Sequence, residues 1–444
     1  MHLVLSPTDP RTLPVQICAG IREQIQRQIL SPGQELPSTR ALAAQLGISR
    51  GSVVTAYDQL LAEGYLEAAI GSGTRVCAQL LHTTVSPEPA SSPPPTPGPA
   101  LELTPGLADT ARIVTPEWRA AWREAATGLG PSPAQGHERL REEVAAHLGH
   151  MRGLSVSPDR IVITAGARDG LTTLIRAAFA PGSRFGVESP GYPSLRRIPS
   201  ALGHRVVDVP ADKHGVTVPA DVDALIVTPS HQYPFGGSLP APRRTALAAW
   251  ARESTGLLIE DDFDSELRYA GAPLPALAAL EPDNTVLLGT FSSVISPSIG
   301  CGYVVLPPRL VEPVLQDREL FGQPVSAITQ KALANFLASG ALRRHTGRMR
   351  RAYKRRRDLV YAAFASLPGT QLLPIHGGLH AVVLCDRPAD EVIPQARARG
   401  VGVTALAHYW GGHQGEAANG LVLGFGHVTD QELVKALEVV VSCL

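Results

Sequence analysis

Residues 36–76, LPSTRALAAQLGISRGSVVTAYDQLLAEGYLEAAIGSGTRV, place helix-start and helix-stop residues around short apolar runs. Ser38 stands where it caps a helix over Thr39–Leu46, which Gly47 ends. Ser49 caps the next helix, Arg50–Glu63, with Val53, Leu60 and Leu61 as inward candidates. Upstream, Ile17, Ile21, Ile25 and Ile29 recur at helix spacing and predict a helix over Val15–Leu30, followed by a turn at Pro32 and Gly33. Two short helices across a tight turn, the second opening on polar side chains, is helix-turn-helix geometry, in which the N-terminal residues of the recognition helix reach base edges. Two strand-like runs around Gly71, Ser72 and Gly73 then make a wing.

Outward from this stretch, Val85–Ala100 reads VSPEPASSPPPTPGPA, with little to pack and a preference for extended chain. The sequence therefore predicts a DNA-binding domain over 11–80, a Pro-rich linker over 81–114 and a large domain over 115–444. In the large domain, apolar strand-like runs (Arg160–Thr164, Arg184–Glu188, Ala224–Thr228, Leu257–Glu260, Val286–Leu288, Tyr303–Leu306) alternate with helical segments such as Ala167–Phe179, Ala241–Glu253 and Val325–Leu337. That alternation predicts an α/β fold with a mostly parallel sheet. Ligands of such sheets bind outside the carboxyl ends of the strands. Three segments follow strands and belong at that edge: TAGARDG (Thr164–Gly170), ESPGY (Glu188–Tyr192) and TPSHQYPFG (Thr228–Gly236). In LLIEDDFDSE (Leu257–Glu266) the adjacent acids read as a solvated strand edge, and no metal is expected.

At 444 residues and 44% apolar content the chain has material for more than one core. No stretch reads as a leader peptide or a bilayer span, which points to the cytoplasm. The five cysteines lie far apart with no C-x-x-C pair, so neither a disulfide framework nor a zinc site is indicated. Formal charge is zero, and composition alone does not mark a nucleic-acid binder. Basic residues are nearly all arginine; Lys213, Lys331, Lys354 and Lys435 are the four lysines, and all read as solvated. Nine basic residues crowd Arg343–Arg357, a run that reads first as a solvated helical face and second as a phosphate-contacting one.

The first motif resembles the winged helix of the GntR superfamily. By that resemblance Arg40 meets phosphate or a groove edge, Ser49, Arg50, Gly51 and Ser52 open the recognition helix, and Gly71 and Gly73 shape the wing tip. Arg50 is the expected base reader, because bidentate Arg to guanine is the commonest specific contact. The large domain, with GTFSSVISPSIGCGY (Gly289–Tyr303), resembles the fold-type-I, class-I-like aminotransferase domain of the MocR subfamily, with a smaller C-terminal subdomain. The resemblance implies double-stranded DNA as partner, a homodimer, and pyridoxal phosphate as family cofactor. It also implies a Schiff-base lysine, a phosphate-binding arginine and a tyrosine hydroxyl where this chain has Ser293, Gly300 and Phe263. Serine forms no aldimine, glycine carries no charge and phenylalanine has no hydroxyl, so no covalent cofactor and no catalytic residue are expected. Two readings stand for Asp261 and Tyr192: partners of a ligand ring, or a strand-end acid and a half-buried aromatic. Arg168 is read with Tyr192 and Ser293 as a site for a small anionic effector, or as an exposed arginine paired with Asp169. The rival function is an active transaminase with an accessory DNA-binding domain.

Overall fold

The computed structural model describes residues 3, 5–6, 9–69, 73–79, 100–128, 130–212, 215–269, 271, 274–411 and 418–444. The chain divides into two compact units, Met1–Thr96 and Pro97–Leu444.

In the first unit, Leu13–Gln26, Thr39–Leu46 and Arg50–Ala62 are helices, and Leu66–Ala69 pairs antiparallel with Gly73–Val76. The caps are those the sequence indicated: Ser38 accepts from the Ala41 amide, Gly47 closes its helix at φ 66°, and Ser49 accepts from the Ser52 amide. Ile17, Ile21, Leu42, Val53, Leu60 and Val76 are fully buried together. The first helix is shorter than its isoleucine spacing suggested. It stops at Gln26, Gln28 takes φ 59°, and Ile29 lies exposed beyond the end while Leu30 turns inward instead. The Tyr57 hydroxyl donates to the Pro37 carbonyl (2.9 Å), tying the recognition helix to the segment before the turn.

The second unit is built on an eight-stranded sheet. Its central five strands, Thr285–Thr290, Leu257–Asp262, Ala224–Val227, Arg184–Ser189 and Arg205–Asp212, are parallel. Gly302–Val305 runs antiparallel between Thr285–Thr290 and Ile161–Thr164. Ile161–Thr164, Ala224–Val227 and Thr285–Leu288 are buried on both faces, which is why each reads as an unbroken apolar run. Arg205–Asp212 was not foreseen. It lies toward the sheet edge, only Val209 along it is buried, and Pro210 disguises it. A four-stranded antiparallel sheet (Thr370–Leu372, His380–Cys385, Gly420–Gly424, Thr404–Ala405) forms the smaller C-terminal part.

The stretch read as linker to residue 114 ends earlier. Leu101–Glu102 pairs with Val401–Gly402, Leu103 and Ile113 are buried, and Asp109 meets the buried Arg356 at 2.8 Å. Arg356 also binds Asp430 (3.0 Å) and the Gly426 carbonyl, so one guanidinium gathers three chain segments.

Because Leu60 is fully enclosed in the small unit, Leu60→Ala should cost about 2–5 kcal/mol there. Calorimetry should show an early, weakened transition for the first unit and an unmoved one for the second; a shift of both transitions together would contradict two independent cores.

Candidate DNA interface and effector cavity

The first unit has six arginines, and four of them hold carboxylates: Arg11 with Asp9, Arg22 with Glu63, Arg27 with Glu23 and Arg75 with Glu67. Among the described residues Arg40 and Arg50 have no carboxylate within ion-pair distance, and both are exposed. Arg50 opens the recognition helix and its Nε donates to Thr39 Oγ1 at 3.4 Å, which links it to the start of the preceding helix. Ser49 and Ser52 are partly spent on the cap, since their hydroxyls lie 2.9 Å apart and Ser49 Oγ accepts the Ser52 amide. Gly51 is exposed beside them. Gly73 sits at φ 89°, a turn conformation that favours glycine, and Gly71 lies outside the described residues.

In the second unit a cavity of about 370 Å³ opens at the carboxyl ends of the parallel strands. Thr164–Ala167 lead from a strand into the helix Ala167–Ala178, Asp261 lies at the end of the strand Leu257–Asp262, Thr290 ends the strand Thr285–Thr290, and Ser292 and Ser293 follow it. Close approach of a helix start to a strand pair packs this edge: a side chain at Gly302 would strike the Gly289 carbonyl and the Gly166 Cα. Tyr192 and Tyr233 form an aromatic wall, ring centroids 5.3 Å apart at 76°. Their loops are locked together because Gln232 Nε2 donates to the Pro190 carbonyl (2.9 Å). Buried Arg244 donates to the carbonyls of Pro229, Leu239 and Pro275, fixing the ends of the same loop.

Arg168, Tyr192, Asp261 and Ser293 all line this one cavity. Arg168 does not pair with its neighbour. Asp169 is held by Arg318 and by the Ala165 amide, while Arg168 Nη2 donates to the Tyr192 hydroxyl at 3.0 Å. Asp261 is buried, its Oδ1 has no hydrogen-bond partner, and burial together with the charges of Asp262, Asp264 and Glu188 raises its pKa well above the ordinary range. Its environment therefore disfavours the charged carboxylate, and one oxygen is left without a partner. Phe263 lines the cavity; Gly300 does not, and closes a short turn at φ 51°. Tyr233, Thr290 and Ser292 join the lining without having been singled out, although Tyr233 stands in the very loop the sequence put at this edge.

The acidic run is not a solvated edge. Glu260, Asp261 and Asp264 are buried, Arg152 pairs with Glu260 (3.1 Å) and Asp262 (3.0 Å), and His231 meets Asp264 at 2.6 Å. His147 meets Glu266 at 2.8 Å; burial acts to lower its pKa, but the Glu266 carboxylate outweighs that and leaves it raised. The run continues a buried strand, and two of its partners, Arg152 and His147, come from more than a hundred residues earlier, while His231 stands 33 residues before Asp264, so nothing adjacent announced them.

Residues 13–76 match bacterial regulatory proteins, gntR family, and residues 106–410 match aminotransferase class I and II. The HTH-type pyridoxine biosynthesis transcriptional regulator PdxR of Corynebacterium glutamicum is 56% identical over 431 residues, covering 96% of this chain and 94% of that protein. The chain belongs to the GntR-type transcriptional regulators that carry an aminotransferase domain. Within this group the regulator is also 29% identical, over 87% of its length and 85% of the relative's, to the probable rhizopine catabolism regulatory protein MocR of Rhizobium meliloti. Its second unit is similar to an archaeal alanine:glyoxylate aminotransferase at TM-score 0.71 and 25% identity, covering 77% of this chain and 90% of that one. The regulator is thus a DNA-binding protein built on an aminotransferase fold. Among its described residues no helix is long and apolar enough to cross a membrane.

Burial pushes the Glu188 carboxyl, beside the cavity wall, from 4.5 up to about 7 despite the Thr228 hydroxyl it accepts. An acid with a raised folded pKa favours the unfolded, ionised chain, so the fold loses stability as pH climbs from 4.5 to 7. Glu188→Gln should therefore be more stable than wild type at pH 8, by at most about 3 kcal/mol, and equal to it at pH 4. Urea melts at the two pH values decide; a constant difference would mean that Glu188 is not titrating in this window.

Proposed function

We infer that the regulator reads its operator through Arg40 and Arg50, acts as a cytoplasmic homodimer, and responds to a small anionic ligand held without a covalent bond in the cavity of its second unit. The observation that carries the ligand reading is the make-up of one cavity wall: Arg168, aromatic Tyr192 and Tyr233, hydroxyls of Thr290, Ser292 and Ser293, and the buried Asp261 with its raised pKa. A guanidinium beside a helix N-terminus favours an anion. The free Asp261 Oδ1 suits a hydrogen-bond donor at the far end of the same molecule.

Pyridoxal phosphate fits this lining in part. Asp261 and Tyr192 suit a pyridine ring, but the lining residues include no amine, and Phe263 and Gly300 offer neither hydroxyl nor charge. Lys331 donates to the Gly128 carbonyl, Lys354 and Lys435 are exposed on helices, and Lys213 lies outside the described residues. The lining does not fit a lysine-linked cofactor, and on this reading the regulator is not a transaminase. The name of the Corynebacterium relative makes genes of pyridoxine biosynthesis the first operators to try.

Arg50→Ala should weaken binding to the regulator's own promoter duplex by about 1–3 kcal/mol and relax preference at one base position. A gel shift as tight as wild type would remove Arg50 as the reader. Incubation with pyridoxal phosphate followed by borohydride should leave all four lysines unmodified in a peptide mass map; an adduct on any one of them would restore a covalent cofactor.

A further inference from the structure

The helix Ala341–Phe364 carries the nine basic residues of 343–357, and the fold sorts them. Three work inward: Arg350 Nε donates to the Arg268 carbonyl, Arg356 is buried on Asp109 and Asp430, and Arg357 pairs with Asp358 while covering the Tyr269 ring. The other six, Arg343, Arg344, Arg348, Arg351, Lys354 and Arg355, are exposed. At 100° per residue they share an arc of about 140°, opposite the buried Leu342, Met349, Tyr353 and Val360, along about 18 Å of axis.

Little neutralises them. Arg355 reaches Asp430 at 3.8 Å, and the Glu117 carboxylate lies within electrostatic reach of Arg344 and Arg348. Among the described residues the remaining three have no ion-pair partner within 4.0 Å. The chain as a whole is neutral, so this face is a local excess and not the share of a generally basic protein. The DNA-binding unit shows the converse, with carboxylates occupying four of its six arginines. Phosphate contacts supply a large share of the affinity of many DNA-binding proteins, and among the described residues only Arg40 and Arg50 of that unit's arginines are clear of a carboxylate.

We propose that this helical face is a second, sequence-independent DNA contact, gripping the phosphates of duplex that flanks the operator. The proposal rests on DNA binding by the GntR unit, which delivers flanking duplex to the second unit at high effective concentration. An 18 Å row of cations spans about five phosphates of one strand at 3.4 Å each. Between Arg343 and Arg355 the helix exposes no large apolar side chain that could enter a membrane, and the exposed Tyr361 beyond that row lies beside the Arg357 guanidinium.

The test uses the full-length regulator, its own promoter fragment, and the shortest duplex that footprinting shows to bind. The variant is Arg344→Gln, Arg348→Gln, Arg351→Gln. On the long fragment the slope of log K against log salt should become shallower by about 0.9 per lost contact, up to about 2.7, and on the trimmed duplex it should not change. The matching triple Lys variant should keep the wild-type slope, since a point charge suffices for phosphate. Arg50→Ala weakens both duplexes alike, which separates the two DNA contacts. Equal slopes for wild type and the Gln variant on the long fragment would overturn the proposal. So would an altered oligomeric mass with unchanged slopes, which would assign the face to protein association. Melting curves that coincide with wild type exclude a folding defect in these exposed positions.

Discussion

The guanidinium of Arg152 holds the acidic end of the central strand Leu257–Asp262 inside the protein. Its side chain and those of Glu260 and Asp262 are almost entirely withdrawn from water. Isolated charges at such depth are prohibitively costly, and removing one partner of a buried set leaves the others uncompensated. Arg152 counters Glu260 on one side and Asp262 on the other, and the Ala278 amide takes the second Glu260 oxygen. Asp261, between them, points to the other face of the strand, and among the described residues no cation lies within ion-pair distance of it. The same alternation that pairs its neighbours leaves it facing the cavity with its pKa raised. The chemical character of the cavity is therefore shaped by an ion cluster on the opposite side of the sheet.

That cluster also marks the boundary of what local sequence conveys. The helix-turn-helix was legible almost residue by residue, because caps at Ser38 and Ser49 and the stop at Gly47 act within four positions of themselves. The large sheet was legible because its strands are buried on both faces, and each foreseen strand lies within two residues of its observed ends. Arg205–Asp212 escaped because an edge strand buries little and so loses the apolar signature. The acidic run was misread for a related reason: acids look solvated unless their partners are known, and Arg152 and His147 lie on a helix that nothing local ties to them. The cavity was half legible, since strand-end loops announce its rim but not which side chains turn into it.

Arginine does most of the work that unites these parts. Of forty basic residues only four are lysine. Arg152, Arg244, Arg318 and Arg356 are each buried, and they tie down, in turn, strand-end acids, loop carbonyls, the start of a helix, and the chain that enters the second unit. A planar guanidinium with five fixed donors can satisfy several partners at once, whereas an ammonium is a strongly hydrated point charge that resists burial. A scaffold stapled in this way keeps amines at its surface, as Lys354 and Lys435 are. Among the described residues that line the cavity, the chemistry left at the strand ends is that of hydroxyls, rings, one carboxyl and one guanidinium.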